Sequence, residues 1–152
     1  MRKLVLVLAF CLAASPAMAD FAQPIADPVT LKACGECHMA FQPSFLPARS
    51  WDRMMANPAD HFGDNATMAP DKAALIRNIL MDGAADSNGG RMGSKVTKWL
   101  NVGDTPLRIT ETAWFRRKHD LPEWAWKRPG VVTKSNCAAC HPAAEKGIYE
   151  DD

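Results

Sequence analysis

Two copies of one short motif place the strongest constraint on how this chain folds. Each copy has two cysteines separated by two residues and followed at once by a histidine: Cys34, Cys37 and His38, then Cys137, Cys140 and His141. A c-type haem is attached by adding two thiols across its two vinyl groups, and this spacing presents both sulfurs from one helical turn. The histidine that follows supplies an axial nitrogen to the iron. The pattern therefore predicts two covalently bound haem c groups.

Paired cysteines also form structural zinc sites and disulfides, and both are alternatives for these four residues. Zinc binding, however, requires no histidine after both pairs. The separation of about 100 residues between the motifs is also far wider than in a usual zinc ribbon. A thioredoxin-type pair is disfavoured because no alternation of strands and helices surrounds either motif. Haem is the favoured interpretation.

The chain has only two further histidines, and their number matches the sixth ligand position of two irons. His61 lies 23 residues after His38, and His119 lies 22 residues before His141. Because closing two short loops costs less entropy than crossing the chain, we predict His61 as the distal ligand of the first haem and His119 as that of the second. A crossed pairing stays open. Met92, in a glycine-flanked loop, is the competing ligand, and methionine would raise the reduction potential.

The neighbours of the distal histidines suggest supporting roles. A ligating imidazole donates its second ring N–H to a carbonyl or a carboxylate. Asp60 and Asp120, each adjacent to a distal histidine, are candidates for that role. The basic run 116–118 is a solvated helix face, a partner for haem propionates, or a surface that steers an acidic partner.

The first 19 residues predict a secretory signal peptide. Arg2 and Lys3 precede an apolar run over 4–14, and small residues at 17 and 19 form the cleavage site. The run is shorter than the roughly 20 residues of a transmembrane helix, so we expect no stable membrane insertion after cleavage. Cleavage also removes Cys11, which leaves every cysteine of the mature chain in a motif. The predicted location is the periplasm.

Length and charge exclude several classes of protein. After cleavage the chain begins at Asp20 and holds 16 basic and 17 acidic residues, so it lacks the basic excess of a nucleic-acid binder. It is one domain's worth of residues, which excludes a multidomain enzyme. The glycine-rich segment from Ala84 to Gly93 predicts a flexible link. This link divides the domain into halves of about 20–83 and 94–152, each with one haem.

The expected fold is mostly α, with short helices and loops packed around the haems. Apolar spacing predicts the longest helix from Pro70 to about Asp82, stopped by Gly83. Ser50 is expected to cap a short helix over Trp51 and the methionines that follow.

Three further helices are expected near the distal histidines. Pro58 is expected to begin a helix that carries His61 about one turn in. Thr112 is expected to cap a helix that carries His119, and Pro122 to begin a short helix through 126. No stretch of the sequence makes a convincing strand.

With these residues placed, the sequence resembles the small dihaem cytochrome c family, usually called DHC. The stretches that carry the resemblance are the two haem motifs, 46–51, 60–63, 108–112, 115–119 and 147–149. The resemblance covers nearly all of the chain after the signal peptide. It implies a mostly helical periplasmic electron carrier with two low-spin haems, each with two histidine ligands, in which His61 and His119 match the distal positions. It also implies partners, because some relatives pass electrons to a small oxygen-binding monohaem cytochrome and are expected to receive them from a membrane b-type cytochrome.

The number of histidines also separates the function classes. A haem peroxidase, a nitrogen-oxide reductase or a gas-binding module needs one open or easily vacated iron position. Two irons and four histidines leave none. We therefore predict an electron carrier with no catalytic residues, and the alternative is a haem enzyme or gas-binding protein with one open iron site.

Overall fold

The computed structural model describes residues 20–150, and this part of the chain is mostly helical, as predicted. It contains six α-helices, which are α1 (Pro28–Gly35), α2 (Ala48–Met55), α3 (Pro70–Asp82), α4 (Gly90–Thr97), α5 (Ala113–Lys118) and α6 (Glu123–Trp126). Single 3₁₀ turns lie between some of these helices and after the last one. None of the described helices is long and apolar enough to cross a membrane. The predicted signal peptide lies outside the described residues.

Two short strands join the ends of the described chain. β1 (Asp20–Phe21) pairs antiparallel with β2 (Ile148–Tyr149), with Asp20 opposite Tyr149. The expectation of no strand was wrong, because a two-residue strand is too short to leave a pattern in the sequence. The N–H of Ala22 extends the pairing by donating to the carbonyl of Gly147 at 2.8 Å. Gly147 has a positive φ of 74°, and a Cβ there would overlap the carbonyl of Ala22.

The longest helix is α3, and its predicted bounds are confirmed. It begins at Pro70 and ends at Asp82, and the N–H of Gly83 caps it by donating to the carbonyl of Ile79 at 3.1 Å. Ile76 and Leu80 are its buried residues, and they join a first apolar cluster with Trp51. Ala33 and Phe41, on either side of the first haem motif, pack against this cluster.

Helix α2 is capped by a residue from a distant loop. Ser50 was predicted as its cap, but the helix already begins at Ala48, and Ser50 lies inside it with a buried hydroxyl that has no hydrogen-bond partner. The first N–H of the helix, on Ala48, donates instead to Oδ1 of Asp86 at 2.7 Å. Asp86 also pairs with Arg49 at 3.1 Å. Because this cap is a tertiary contact, the residues next to the helix in sequence could not predict it.

The segment predicted as a flexible link is buried at both ends and exposed in its middle. Ala84 and Ala85 are buried, and the N–H of Ala85 donates to the carbonyl of Leu46 at 2.9 Å. α4 begins inside this segment, and Gly93 lies so close to Ala85 that a Cβ would overlap its carbonyl. Small residues that signal a mobile loop therefore also permit close packing of backbones here. The division into two halves with one haem each stays a prediction.

The helices near the second motif follow the predicted pattern. The hydroxyl of Thr112 caps α5 by accepting from the N–H of Phe115 at 3.1 Å, and α6 follows Pro122. Phe115 and Trp114 are buried in a second apolar cluster. The other buried members of that cluster are Ala22, Phe45, Ala85, Met92 and Val96.

Candidate functional site

His38 and His61 face one another across a gap of the size that one iron needs. Their ring centroids are 6.1 Å apart, and the ring planes differ by 21°. Metal–nitrogen bonds of roughly 2 Å on either side of an iron, plus the distance from each nitrogen to its ring centre, give a separation of roughly 6 Å. The structure thus brings the first predicted pair together at a distance suited to a shared metal.

His61 is presented by a tight turn and not by the predicted helix. Pro58–Asp60 forms only a single 3₁₀ turn, and His61 follows it. The N–H of His61 donates to the carbonyl of Asp64 at 2.8 Å, closing a two-residue turn. Its central residues, Phe62 and Gly63, both have positive φ, at 60° and 101°, as in a type I′ turn. The turn replaces the helix because Gly63 accommodates this backbone without strain.

Backbone and aromatic contacts orient His38. Its Nδ1 lies 2.7 Å from the carbonyl of Met39, which can only accept, so Nδ1 carries the proton and Nε2 keeps its lone pair. The ring also stacks on Phe41 with centroids 4.8 Å apart. Asp60, a candidate imidazole partner, instead accepts from the N–H of Gly63 at 3.3 Å. Asp60 therefore stabilises the turn.

His119 and His141 form the second pair, with the same separation and a different angle. Their centroids are 6.1 Å apart, and their planes differ by 89°. His119 lies at the C-terminal end of α5, where its Nδ1 is 3.0 Å from the carbonyl of Phe115. Asp120, the other predicted imidazole partner, lines a surface cleft. The carbonyl of Phe115 is the hydrogen-bond acceptor in its place.

A cavity of about 260 Å³ lies at the second pair. Its walls are mostly aromatic and apolar, and they include Phe45, Trp114, Phe115, Trp126 and Tyr149. Both ends of the described chain reach it, because Asp20 and Glu150 are also at its edge. The carboxylate of Asp20 pairs with Lys95 and, at 3.7 Å, with Lys118, the residue before His119. Such a wall fits a flat, apolar macrocycle.

A hydrogen-bonded strut, formed by Gln42 and Tyr149, connects the segments that follow the two motifs. It was not predicted from the sequence. The hydroxyl of Tyr149 donates to Oε1 of Gln42 at 2.6 Å, and Nε2 of Gln42 donates to the carbonyl of Ala144 at 2.8 Å. Gln42 is fully buried and lies four residues after His38, while the ring of Tyr149 meets His141 edge-on at 5.3 Å. These partners are more than 100 residues apart, so no local pattern marks them.

Burial favours the neutral forms of four side chains of the site, two histidines and two cysteines. It is the main cause that lowers the pKa of both His61 and His119, which favours the unprotonated imidazole that a metal requires. Burial also raises the pKa of the Cys34 thiol and raises that of Cys137 to about 11. None of the four motif cysteines is paired in a disulfide, which leaves all four sulfurs for attachment to vinyl groups.

The alternative ligands do not assemble into a site. Met92 is buried in α4 among the second apolar cluster. Among residues 20–150, no group of three or more histidine, cysteine and acidic side chains is arranged to hold a metal ion. The donor set that the structure does form is two imidazole pairs with two thiols in sequence beside each, which fits two haem c groups.

A basic cleft lies on the surface next to the second pair. It is lined by Trp99, Ala113, Arg116, Arg117 and Asp120. The guanidinium of Arg117 lies 4.1 Å from the ring centroid of Trp99, and both side chains are exposed. Because Arg116 and Arg117 are on α5, the cleft shares a helix with the segment that ends at His119.

Known proteins and families match this architecture over most of its length. A family model described as dihaem cytochrome c matches residues 30–149. The chain is 40% identical to the diheme cytochrome c from Rhodobacter sphaeroides, with a TM-score of 0.76 over 84% of this chain and 100% of that one. It is 37% identical to the diheme cytochrome type c from Shewanella baltica OS155, with a TM-score of 0.66 over 81% of this chain and 86% of that one. No curated protein matches.

Proposed function

Because this chain belongs to the dihaem cytochrome c family and so carries two haem c groups, we propose that it relays electrons in the periplasm. The first iron is held by His38 and His61, and the second by His119 and His141. Both irons are low-spin. The donor is a membrane b-type cytochrome, and the acceptor is a small oxygen-binding monohaem cytochrome.

One observation carries this proposal: both histidine pairs have the separation that a shared six-coordinate iron requires, 6.1 Å between ring centroids. Two imidazoles on one iron occupy both axial positions. Oxygen, peroxide and nitrogen oxides then have no open position to bind. An arrangement of this kind favours electron transfer over an enzyme or a gas-binding module.

The protein's own residues account for holding and protecting the centres. When bound, a haem supplies a one-electron iron couple. Cys34 and Cys37 would anchor the first haem and Cys137 and Cys140 the second, and the aromatic and apolar part of the cavity wall would pack against the second. The carbonyls that accept from the imidazole Nδ1–H groups make the ligands more basic. Two imidazoles per iron predict potentials below those of cytochromes with histidine and methionine ligands.

The basic cleft supports an acidic soluble partner. Arg116 and Arg117 raise the local concentration of an acidic protein near the second haem. The exposed ring of Trp99 offers an apolar contact at the centre of that charge. An electron-transfer encounter needs only a small interface of this type. The predicted signal peptide supports the periplasmic location.

Carbon monoxide binding to the reduced protein tests the ligand assignment. The native protein is expected to bind none rapidly, because no axial position is open. His61→Ala and His119→Ala are each expected to give one high-spin, carbon-monoxide-binding haem and one low-spin haem, seen in absorption spectra. Rapid binding to the native protein would favour the haem enzyme or gas-binding alternative. A variant that kept two low-spin haems would overturn the assignment of that histidine.

A further inference from the structure

The angle between the imidazole planes distinguishes the two sites, although the separation does not. The planes of His38 and His61 are nearly parallel, at 21°. The planes of His119 and His141 are nearly perpendicular, at 89°. An axial imidazole stands upright on a haem, so its free rotation is about the iron–nitrogen bond. The protein side chains around each ring decide that rotation.

Phe115 holds the ring of His119 at two points. Its backbone carbonyl lies 3.0 Å from Nδ1 of His119. Its side chain stacks on the same imidazole, with centroids 4.0 Å apart and planes within 14°. Phe115 is itself anchored, being 5% exposed within the second apolar cluster. Rotation of His119 would break the hydrogen bond and the stack together.

Other groups hold the other three rings, and His61 meets Phe62 edge-on, at 61°. His38 is oriented by the Met39 carbonyl and stacks on Phe41 at 23°. His141 meets the edge of Tyr149, at 65°. Because each ring is oriented by its own neighbours, the two pairs need not have the same angle between their imidazole planes.

The angle has an electronic consequence at a low-spin ferric iron. Each imidazole donates π density into the iron d orbital that lies perpendicular to its own ring. Parallel rings donate into the same orbital, so the two dπ levels differ in energy. The result is a rhombic EPR spectrum with three resolved g values. Perpendicular rings donate into one orbital each, so the energies of the two dπ levels stay nearly equal. The spectrum is then strongly anisotropic, with a single feature at large g.

We propose that Phe115 is a positioning residue that holds His119 perpendicular to His141, so that the oxidised protein contains two spectroscopically distinct low-spin irons. The first iron gives the rhombic signal and the second gives the large-g signal. This inference rests on the ligand assignment of the proposed function.

Low-temperature EPR of the fully oxidised holoprotein tests it directly. The expected spectrum has one rhombic and one large-g low-spin component of equal integrated intensity. His61→Ala is expected to remove only the rhombic one. Two low-spin components of the same type would overturn this inference and leave the proposed function standing. High-spin iron, or the absorption band of methionine ligation, would contradict the proposed function itself.

Substitution at Phe115 tests the positioning role. Phe115→Leu removes the ring and keeps the carbonyl, so the large-g feature is expected to shift or broaden while the rhombic signal stays unchanged. Phe115→Tyr keeps a flat ring and is expected to restore the native position. Phe41→Leu is the matched control, which should alter only the rhombic signal. A large-g feature that stays in place in Phe115→Leu would overturn the role, and the native spectrum remains decisive if that variant fails to fold.

Discussion

The two histidine pairs have the same separation but are built in different ways. Both are local in sequence, with 23 and 22 residues between their histidines, but His38 of the first pair is exposed. The second pair adjoins a cavity whose wall combines residue 20, residue 45 and residue 149 with α5. The two pairs therefore differ in what surrounds them: a tight turn presents His61 in the first, whereas residues from both ends of the described chain line the cavity at the second. We expect the second site to depend far more on the tertiary structure.

Removing each haem in turn gives the largest test of this difference. Cys137→Ala with Cys140→Ala should destabilise the protein strongly, because the aromatic and apolar residues that line the cavity at the second pair lose the haem that they pack against. Chemical denaturation, with haem content from intact mass, measures the effect. Cys34→Ala with Cys37→Ala is the matched control, and equal losses from both would show that the two sites do not differ in this way.

A pair of glycines gives the next largest contrast. Gly147→Ala should cost more than about 3 kcal/mol, since the added Cβ collides with the Ala22 carbonyl and separates β1 from β2. Gly63, at the first site, also has a positive φ, but a Cβ added there meets open space. Gly63→Ala should therefore cost only about 1–2 kcal/mol for holding alanine at a positive φ. Thermal unfolding of both variants compares them. A Gly63 variant that is the less stable of the two would contradict closure of the chain ends as the stronger constraint.

The buried strut should give an intermediate effect. Tyr149→Phe removes the donor to Gln42 and leaves a buried amide oxygen unpaired, at a cost of about 1–3 kcal/mol. Denaturant unfolding measures the loss. Because the hydrogen bond to Gln42 anchors the ring that meets His141, its loss is also expected to shift the spectrum of the second haem. Thr105→Val, which removes an exposed hydroxyl bonded to Gly103, serves as control and should lie within about 0.5 kcal/mol of the native protein. A Tyr149 variant as stable as that control would show that the strut does not stabilise the second site.

The helix caps give the smallest contrast, which depends on pH. Hydrogen bonds from Thr30 lower the pKa of Asp27, the cap of α1, whereas a hydroxyl on Thr112 caps α5. A lowered carboxyl pKa stabilises the folded state above the unfolded pKa, and this contribution is lost as pH falls through the folded value. Asp27→Ala should therefore destabilise the protein near neutral pH and have little effect in strong acid.

Thr112→Ala is the matched variant, because its hydroxyl does not titrate. Its cost should stay at about 1 kcal/mol across the same pH range. Urea unfolding of both variants and the native protein, from pH about 7 to about 2, measures the two differences. If the Asp27 difference did not shrink in acid, its carboxylate would not be the stabilising group.

The sequence predicted the local features of this fold and missed the distant ones. The bounds of α3 followed from Pro70 and Gly83, and the cap of α5 from Thr112, because each depends on residues within a few positions. The cap of α2 was missed because Asp86 supplies it from 38 residues away. The helix expected at His61 became a turn, since the positive φ of Phe62 is not visible in a residue pattern.

By itself the sequence determined the chemistry: two thiol pairs with a histidine after each, and two further histidines to face them. The motifs are covalent requirements of haem attachment, and they depend only on residue type and spacing. Only the tertiary structure decided how the imidazoles are oriented and what encloses them. Gln42, Phe45 and Tyr149 reach the second motif through contacts that span most of the chain. Packing that brings distant residues together sets those angles and walls, and no local pattern in the sequence encodes it.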